Sequence, residues 1–105
     1  MENRLKKQRD FDFVFSKGKR IFSKNLTMIF APADELKVGF CVSKKHGGSV
    51  KRNRIKRILR ESFRSFTPKI RENFFFVFIP KVNSDVDYHE IVKDMDFLFR
   101  KIGVI

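Results

Sequence analysis

The chain has 105 residues and a net charge of +12 at pH 7, from 24 Lys and Arg against 12 Asp and Glu. Its length suits one domain, and a hydrophobic content of 42 % excludes a disordered basic tail. No apolar run approaches the roughly 20 residues that span a bilayer, and the charged N-terminus is unlike a secretory signal. The single cysteine, Cys41, excludes an intrachain disulfide and a Cys-based zinc site. We therefore expect one cytoplasmic domain over residues 1–105, whose surplus charge indicates a polyanionic partner.

The chain begins with a predicted short helix. Asp10 is a suitable N-cap for it, and Gly18 is a suitable C-terminal stop. Between them, Phe11, Val14 and Phe15 have the spacing of one apolar helix face. Because Phe supplies 14 of the 15 aromatic residues, we expect Phe to build most of the core. Some of these rings could also stack on bases.

Two strands are predicted after this helix, over residues 26–30 and 37–43. The turn at 32–35 predicts that they pair as a hairpin, and residues 19–23 fit a short extra strand. In the first of the two strands, Thr27 and Ile29 share one face, opposite Leu26, Met28 and Phe30.

The rest of the chain predicts a helix, a strand and a last helix. Ser49 is a suitable N-cap for a helix over 50–66, and the continuous apolar run 74–79 is typical of a strand buried on both faces. Asp85 or Asp87 is expected to cap the last helix, whose apolar residues are Tyr88, Ile91, Val92, Met95, Leu98 and Ile102. This order predicts an α+β fold, a sandwich of helices packed on one small, mainly antiparallel sheet.

The positive charge is concentrated in residues 44–64, where nine Lys and Arg accompany one acid, Glu61. The predicted helix 50–66 divides into two arcs at about 100° per residue. The apolar arc holds Ile55, Ile58, Leu59, Phe63 and Phe66, and the polar arc holds Asn53, Lys56, Arg57, Arg60 and Arg64. A solvated face usually mixes charge signs, so the polar arc predicts a phosphate-binding surface. Arg57 and Glu61 are spaced for an i,i+4 ion pair.

A family resemblance rests on this region. The segments Val42-Ser43-Lys44-Lys45, Val50, Arg52-Asn53-Arg54-Ile55-Lys56-Arg57 and Arg60-Glu61-Ser62-Phe63-Arg64 closely resemble the signature of the bacterial ribonuclease P protein component. The resemblance extends to the N-terminal pattern Leu5-Lys6-Lys7, Asp10-Phe11, Val14-Phe15, Gly18 and Arg20. It therefore covers nearly the whole chain.

The resemblance implies the protein subunit of a ribonucleoprotein endonuclease. A catalytic RNA and the protein together remove the 5′ leader of precursor tRNA, using Mg²⁺ held mainly by the RNA. No catalytic or metal-binding residue in the protein, no obligate protein partner and no membrane contact are expected. The residues that would bind RNA are Lys44, Lys45, Arg52, Asn53, Arg54, Lys56, Arg57, Arg60 and Arg64, and those that would line the leader cleft are Phe11, Phe15 and Ile29. The resemblance also implies a left-handed βαβ crossover, against the usual right-handed rule.

Some alternatives stay open. Periodicity alone favours Phe11 and Phe15 as core residues, whereas the resemblance places them on the cleft. A small ribosomal protein would explain the charge and the basic helix equally well, and a membrane-surface binder fits them less well. The acidic residues Asp85, Asp87, Glu90, Asp94 and Asp96 suggest either a metal cluster or, more simply, caps and a solvated helix face.

Overall fold

The computed structural model describes residues 3–82 and 86–105. Within them the regular elements are α1 (Gln8–Lys17), β1 (Lys19–Phe22), β2 (Leu26–Pro32), β3 (Lys37–Phe40), α2 (Ser49–Phe66), β4 (Phe74–Pro80) and α3 (Tyr88–Ile102). Short 3₁₀ turns over Lys44–His46 and Thr67–Lys69 flank α2. The predicted α+β sandwich is confirmed, and so is the extra strand before β2. In the described residues, no helix is both long enough and apolar enough to cross a membrane.

The strand order corrects the predicted hairpin. The sheet runs β1-β2-β4-β3, with β1–β2 and β2–β4 antiparallel and β3–β4 parallel. β2 and β3 therefore do not pair, because β4 lies between them. β4 is apolar on both faces, and in the middle of the sheet it lies between α2 and α3 on one side and α1 on the other, which together bury both faces. α2 connects β3 to β4 as a βαβ unit, and the left-handed sense of this crossover stays a prediction.

The larger core lies on the sheet face that α2 and α3 cover. Even-numbered residues of β4 point to this side, where Phe76 and Phe78 are fully buried. The Phe99 ring centroid lies 5.3 Å from those of Phe66 and Phe76, in edge-to-face contacts. Phe side chains thus form the centre of this core, as the composition predicted.

A smaller cluster lies on the opposite face, beneath α1. It consists of Leu5, Val14, Ile29, Phe75 and Val77. Gly18 allows α1 to approach the sheet this closely: a Cβ there would lie 3.0 Å from both Ile29 Cγ2 and the Phe30 carbonyl oxygen of β2. α1 ends at Lys17 immediately before it, as predicted.

Two predicted caps are wrong. The N-cap of α1 is Lys7, so Asp10 lies in the first turn, where a carboxylate still favours the helix dipole. Ser49 is the first residue of α2 and Gly48 its N-cap, because the chain enters the helix from the preceding 3₁₀ turn. The cap of α3 is Asp87, whose carboxylate accepts the Glu90 N–H at 3.3 Å, while Asp85 lies outside the described residues.

Residues 3–5 cover the outer edge of β3. Arg4 forms a parallel bridge with Val38, and the Leu5 N–H donates to the Val38 carbonyl at 2.9 Å. The Val38 N–H donates to Asn3 at 2.7 Å. An edge that would otherwise expose unpaired backbone groups is thereby closed, and the segment that enters α1 lies beside α2.

Candidate nucleic-acid interface

The apolar arc of α2 packs as the periodicity predicted. Ile55, Leu59, Phe63 and Phe66 are buried against the larger core, and Ile58 is half-buried. This fixes the rotation of the helix about its axis. The polar arc is consequently held on the opposite, outer side.

The polar arc of α2 forms a continuous cationic strip. Asn53, Arg57 and Arg64 are exposed, while Lys56 and Arg60 are half-buried. The prediction of an ion pair between Arg57 and Glu61 is wrong, because these two described side chains do not pair with each other. This is consistent with the weaker Arg-before-Glu orientation. The two remaining candidates on α2 differ in setting, because Arg54 is exposed whereas Arg52 is half-buried with its Nε buried.

His46 anchors the Lys44–His46 turn to the sheet. The side chain is 8 % exposed, its Nε2 lies 2.6 Å from the Pro80 carbonyl oxygen, and its Nδ1 accepts the Ser43 N–H at 3.0 Å. The carbonyl faces Nε2 and the N–H faces Nδ1, an arrangement that fits the ring tautomer with its proton on Nε2. The turn that carries the exposed side chains of Lys44 and Lys45 is thereby anchored to the end of β4.

The turn reaches α2 through glycines. Gly47 has a φ of 126°, a conformation that favours glycine, and a Cβ there would lie 2.7 Å from Lys51 Cδ. Lys44 and Lys45 therefore immediately precede the first turn of α2. His46 was missed as a positioning residue in the sequence, although the Ser43–His46 spacing is that of a capping box.

Two small cavities connect the cationic strip to the N-terminal segment. One of about 90 Å³ lies between Leu5, Phe11, β3 and the side chains of Lys56 and Arg60. The other, of about 70 Å³, also involves Asn3, Arg64 and Thr67. Arg4 lines both cavities, so the structure adds a cation to this surface that the helical periodicity of α2 could not reveal.

Phe11 and Phe15 have different environments. Phe11 is half-buried and lies directly on β3, where a Cβ on Gly39 would be 2.5 Å from Phe11 Cε1. Phe15 is 38 % exposed, with the Arg20 guanidinium carbon 6.0 Å from its ring centroid. Phe15 is thus a surface residue, whereas Phe11 packs against the smaller core and also lines the 90 Å³ cavity beside Lys56 and Arg60.

Ile29 does not line the cleft, which corrects the expectation. It is 0 % exposed and packs with Val14 and Val77 beneath α1. The same sheet face emerges from under α1 in a row of half-buried residues across β2, β4 and the end of β3. This cleft row consists of Thr27, Ile79 and Cys41, joined by the register of β2 on β4 and by the Cys41 N–H bond to Phe78.

Cys41 is a packing residue of this row. Burial raises the pKa of its thiol, and the nearby Lys56 ammonium opposes that rise only in part. The thiol therefore stays protonated at neutral pH and is a poor nucleophile.

The acidic residues of the last third have structural partners. The buried carboxylate of Asp94 accepts the Ser23 hydroxyl at 2.8 Å and the Asn25 N–H at 2.7 Å. Asp96 pairs with Arg100 at 3.0 Å, and Glu90 lies 3.9 Å from Lys24. Across residues 3–82 and 86–105, no three His, Cys, Asp or Glu side chains are grouped as metal ligands. Asp87 and Asp96 thus have the expected cap and surface positions, whereas the expectation is wrong for Asp94, whose buried carboxylate holds the turn before β2.

Comparison with known proteins gives a consistent result in sequence and structure. The sequence profile of the Ribonuclease P family matches residues 1–103. The ribonuclease P protein component of Alkaliphilus metalliredigens is 39% identical, over 98% of this chain and 96% of that protein. The one from Bacillus velezensis is 35% identical, over 97% and 90%.

Solved structures agree with this match. The RNase P protein of Staphylococcus aureus superposes with a TM-score of 0.85 at 26% identity, covering 99% of this chain and 98% of that chain. The RNase P protein of Thermotoga maritima gives 0.83 at 29% identity, over 95% and 97%. The likeness therefore includes α1, the whole sheet and both helices of the larger core.

Proposed function

The chain belongs to the bacterial ribonuclease P protein family, and on that premise we propose that it binds the catalytic RNA and the single-stranded 5′ leader of precursor tRNA. As a component of ribonuclease P it takes part in tRNA processing by a ribonucleoprotein. The proposal concerns how this chain contributes to that activity. Its half-buried, unpaired thiol also agrees with a reducing cytoplasm as the place of action.

The cationic strip of α2 carries this proposal. A buried apolar arc fixes the helix, so its guanidinium groups are presented outward without any need for the helix to rearrange. Arg suits this surface because its planar fork engages phosphate oxygens in a bidentate manner. Asn53 adds a neutral donor and acceptor for a sugar hydroxyl or a base edge. The proposed RNA-binding residues are Lys44, Lys45, Arg52, Asn53, Arg54, Lys56, Arg57, Arg60 and Arg64, to which the structure adds Arg4.

The cleft between α1 and the sheet is the proposed leader site. Phe11 and Phe15 form its α1 wall, and the cleft row forms its floor. An aromatic wall tolerates many leader sequences, because every base has a π-face. The proposed site is therefore suited to binding without a strict sequence requirement.

We assign the chemistry to the RNA. In the described part of the chain, Asp94 and His46 are engaged in structural bonds, and no three His, Cys, Asp or Glu side chains are grouped, so these residues do not fit a Mg²⁺ site. Mg²⁺ is accordingly proposed to be held mainly by the RNA. The protein would contribute affinity for the substrate and would not supply a catalytic side chain.

A reconstituted cleavage assay tests the proposal. Precursor tRNA is incubated at low Mg²⁺ with the protein, with its cognate RNA, and with both. We expect efficient cleavage only with both, and an affinity that increases as single-stranded leader is added to the tRNA. Cleavage by the protein alone would contradict the proposal. Affinity that does not respond to the leader would instead indicate a structural RNA-binding protein.

A further inference from the structure

Phe22 is an exposed aromatic residue that the proposed cleft does not yet include. It lies on the edge strand β1, and its side chain is 56 % exposed. Its partner across the sheet is Thr27, the β2 residue of the cleft row. Cross-strand partners share a face, so Phe22 continues the cleft floor outward onto β1.

Arg20 connects Phe22 to the α1 wall. The two residues alternate along β1 on the same face, about 7 Å apart. The guanidinium carbon of Arg20 lies 6.0 Å from the Phe15 ring centroid. The outer margin of the cleft therefore carries the Phe15 ring, then the Arg20 cation, then the Phe22 ring.

The charge around these three residues favours a nucleic acid over a protein partner. Residues 17–24 contain Lys17, Lys19, Arg20 and Lys24 and no acid. All four cationic side chains are exposed, and the contact of Lys24 with Glu90 is a long surface pair at 3.9 Å. A phosphate can pair with Arg20 while its base stacks on Phe22, and only an unpaired strand exposes base faces for such stacking.

We propose that Phe15, Arg20 and Phe22 form a second stacking subsite, the β1 platform, which binds one nucleotide of single-stranded RNA beyond the cleft row. This inference rests on the proposed function, because it extends the path of the same leader. It makes β1, the outer strand of the sheet, part of the substrate-binding surface. Phe22 would then set the leader length at which affinity stops increasing.

A leader-length series with a matched control tests the β1 platform. The holoenzyme is assembled with wild-type protein, with Phe22→Ala and with Phe97→Ala, and its affinity is measured for precursor tRNAs whose leaders are extended one nucleotide at a time. Phe97 is 52 % exposed but lies on α3, across the sheet from the cleft. Its removal deletes an equally exposed ring at a site the leader does not reach.

We expect Phe22→Ala to leave short leaders unaffected and to lower affinity for long leaders by about fivefold or more, the loss of one stacked base. Phe97→Ala should follow the wild type at every length, and Phe22→Tyr should restore the gain. A fluorescent purine analogue at the affected leader position should lose its quenching in Phe22→Ala only.

Two results would overturn the β1 platform. One is a Phe22→Ala profile identical to that of the wild type while the wild type still gains affinity with leader length. The other is equal weakening at all lengths, which would assign Phe22 to the stability of β1. If the affinity of the wild type did not depend on leader length, the proposed leader site itself would be contradicted, and not the β1 platform alone.

Discussion

The two faces of the sheet use the same strands but are closed to different extents. On one face, α2 and α3 cover most of the strands: Phe63 and Phe99 pack on the rings of β4, and Phe66 packs on Phe99. On the other face, α1 and Leu5 cover only part of the strands and leave the cleft row half-exposed. Alternation along each strand thus separates two tasks. Residues of one parity build the larger core, and those of the other build the smaller cluster and, beyond α1, the cleft row that we propose as a ligand surface.

Removing a ring from the closed face should give the largest loss of stability. Phe99→Ala deletes a fully buried side chain that contacts several other rings, so we expect a loss of about 3–5 kcal/mol in the free energy of unfolding. Urea denaturation at equilibrium measures it. A loss below about 1 kcal/mol would show that the closed face is not the main core.

Phe15→Ala is the counterpart on the open face. Because Phe15 is a surface residue, we expect a loss of about 1 kcal/mol or less in stability. Its removal should weaken leader-bearing precursor more than mature tRNA. Equal weakening of both RNAs, together with a lower melting temperature, would show that Phe15 is a core residue.

A loss between those of Phe99→Ala and Phe15→Ala is expected where α1 meets the open face. Gly39→Ala would place a methyl group 2.5 Å from the Phe11 ring and force α1 to shift. Overpacking of this kind costs about 1–3 kcal/mol, and the displaced ring should also weaken leader binding. Thermal unfolding and leader affinity report the two effects. Gly48→Ala is the control for steric overlap, because no heavy atom outside the adjacent residues lies within 4 Å of the added methyl group.

The predicted effect on RNA binding is smaller for each residue but has a specific signature. Arg57→Ala should reduce the slope of log affinity for the catalytic RNA against log salt by about 0.7–0.9, the value for one lost phosphate contact. Arg100→Ala, on α3 and paired with Asp96, should leave that slope unchanged. An unchanged slope in Arg57→Ala would place the phosphate-binding surface elsewhere.

Helix α2 could be read from the sequence because its pattern is local. Its apolar arc repeats within one element, and that repeat determines both the buried side and the cationic strip. Strand pairing is not local. The short turn between β2 and β3 fits a hairpin, and only the competition for the interior of the sheet places β4 between them.

The wrong sequence prediction for the cleft, that Ile29 lines it, has the same origin. Alternation correctly put Thr27 and Ile29 on one face, but which of them α1 covers depends on contacts between distant segments. The close approach at Gly18 and the Phe11 ring on Gly39 place the helix over Ile29 and leave Thr27 at the surface. Arg4 and His46 were missed because their positions depend on β3 and β4, which no spacing within one helix reveals.

The position of β4 has a consequence for synthesis of the chain. β4 is the last strand to be made and lies between two strands that precede it. While the ribosome extends the chain, β2 lacks one of its neighbours and β3 has only residues 3–5 beside it. The cationic α2 also emerges before the strand on which it packs. The sheet therefore closes only after Pro80 has left the exit tunnel, and the larger core is complete only when α3 has followed it.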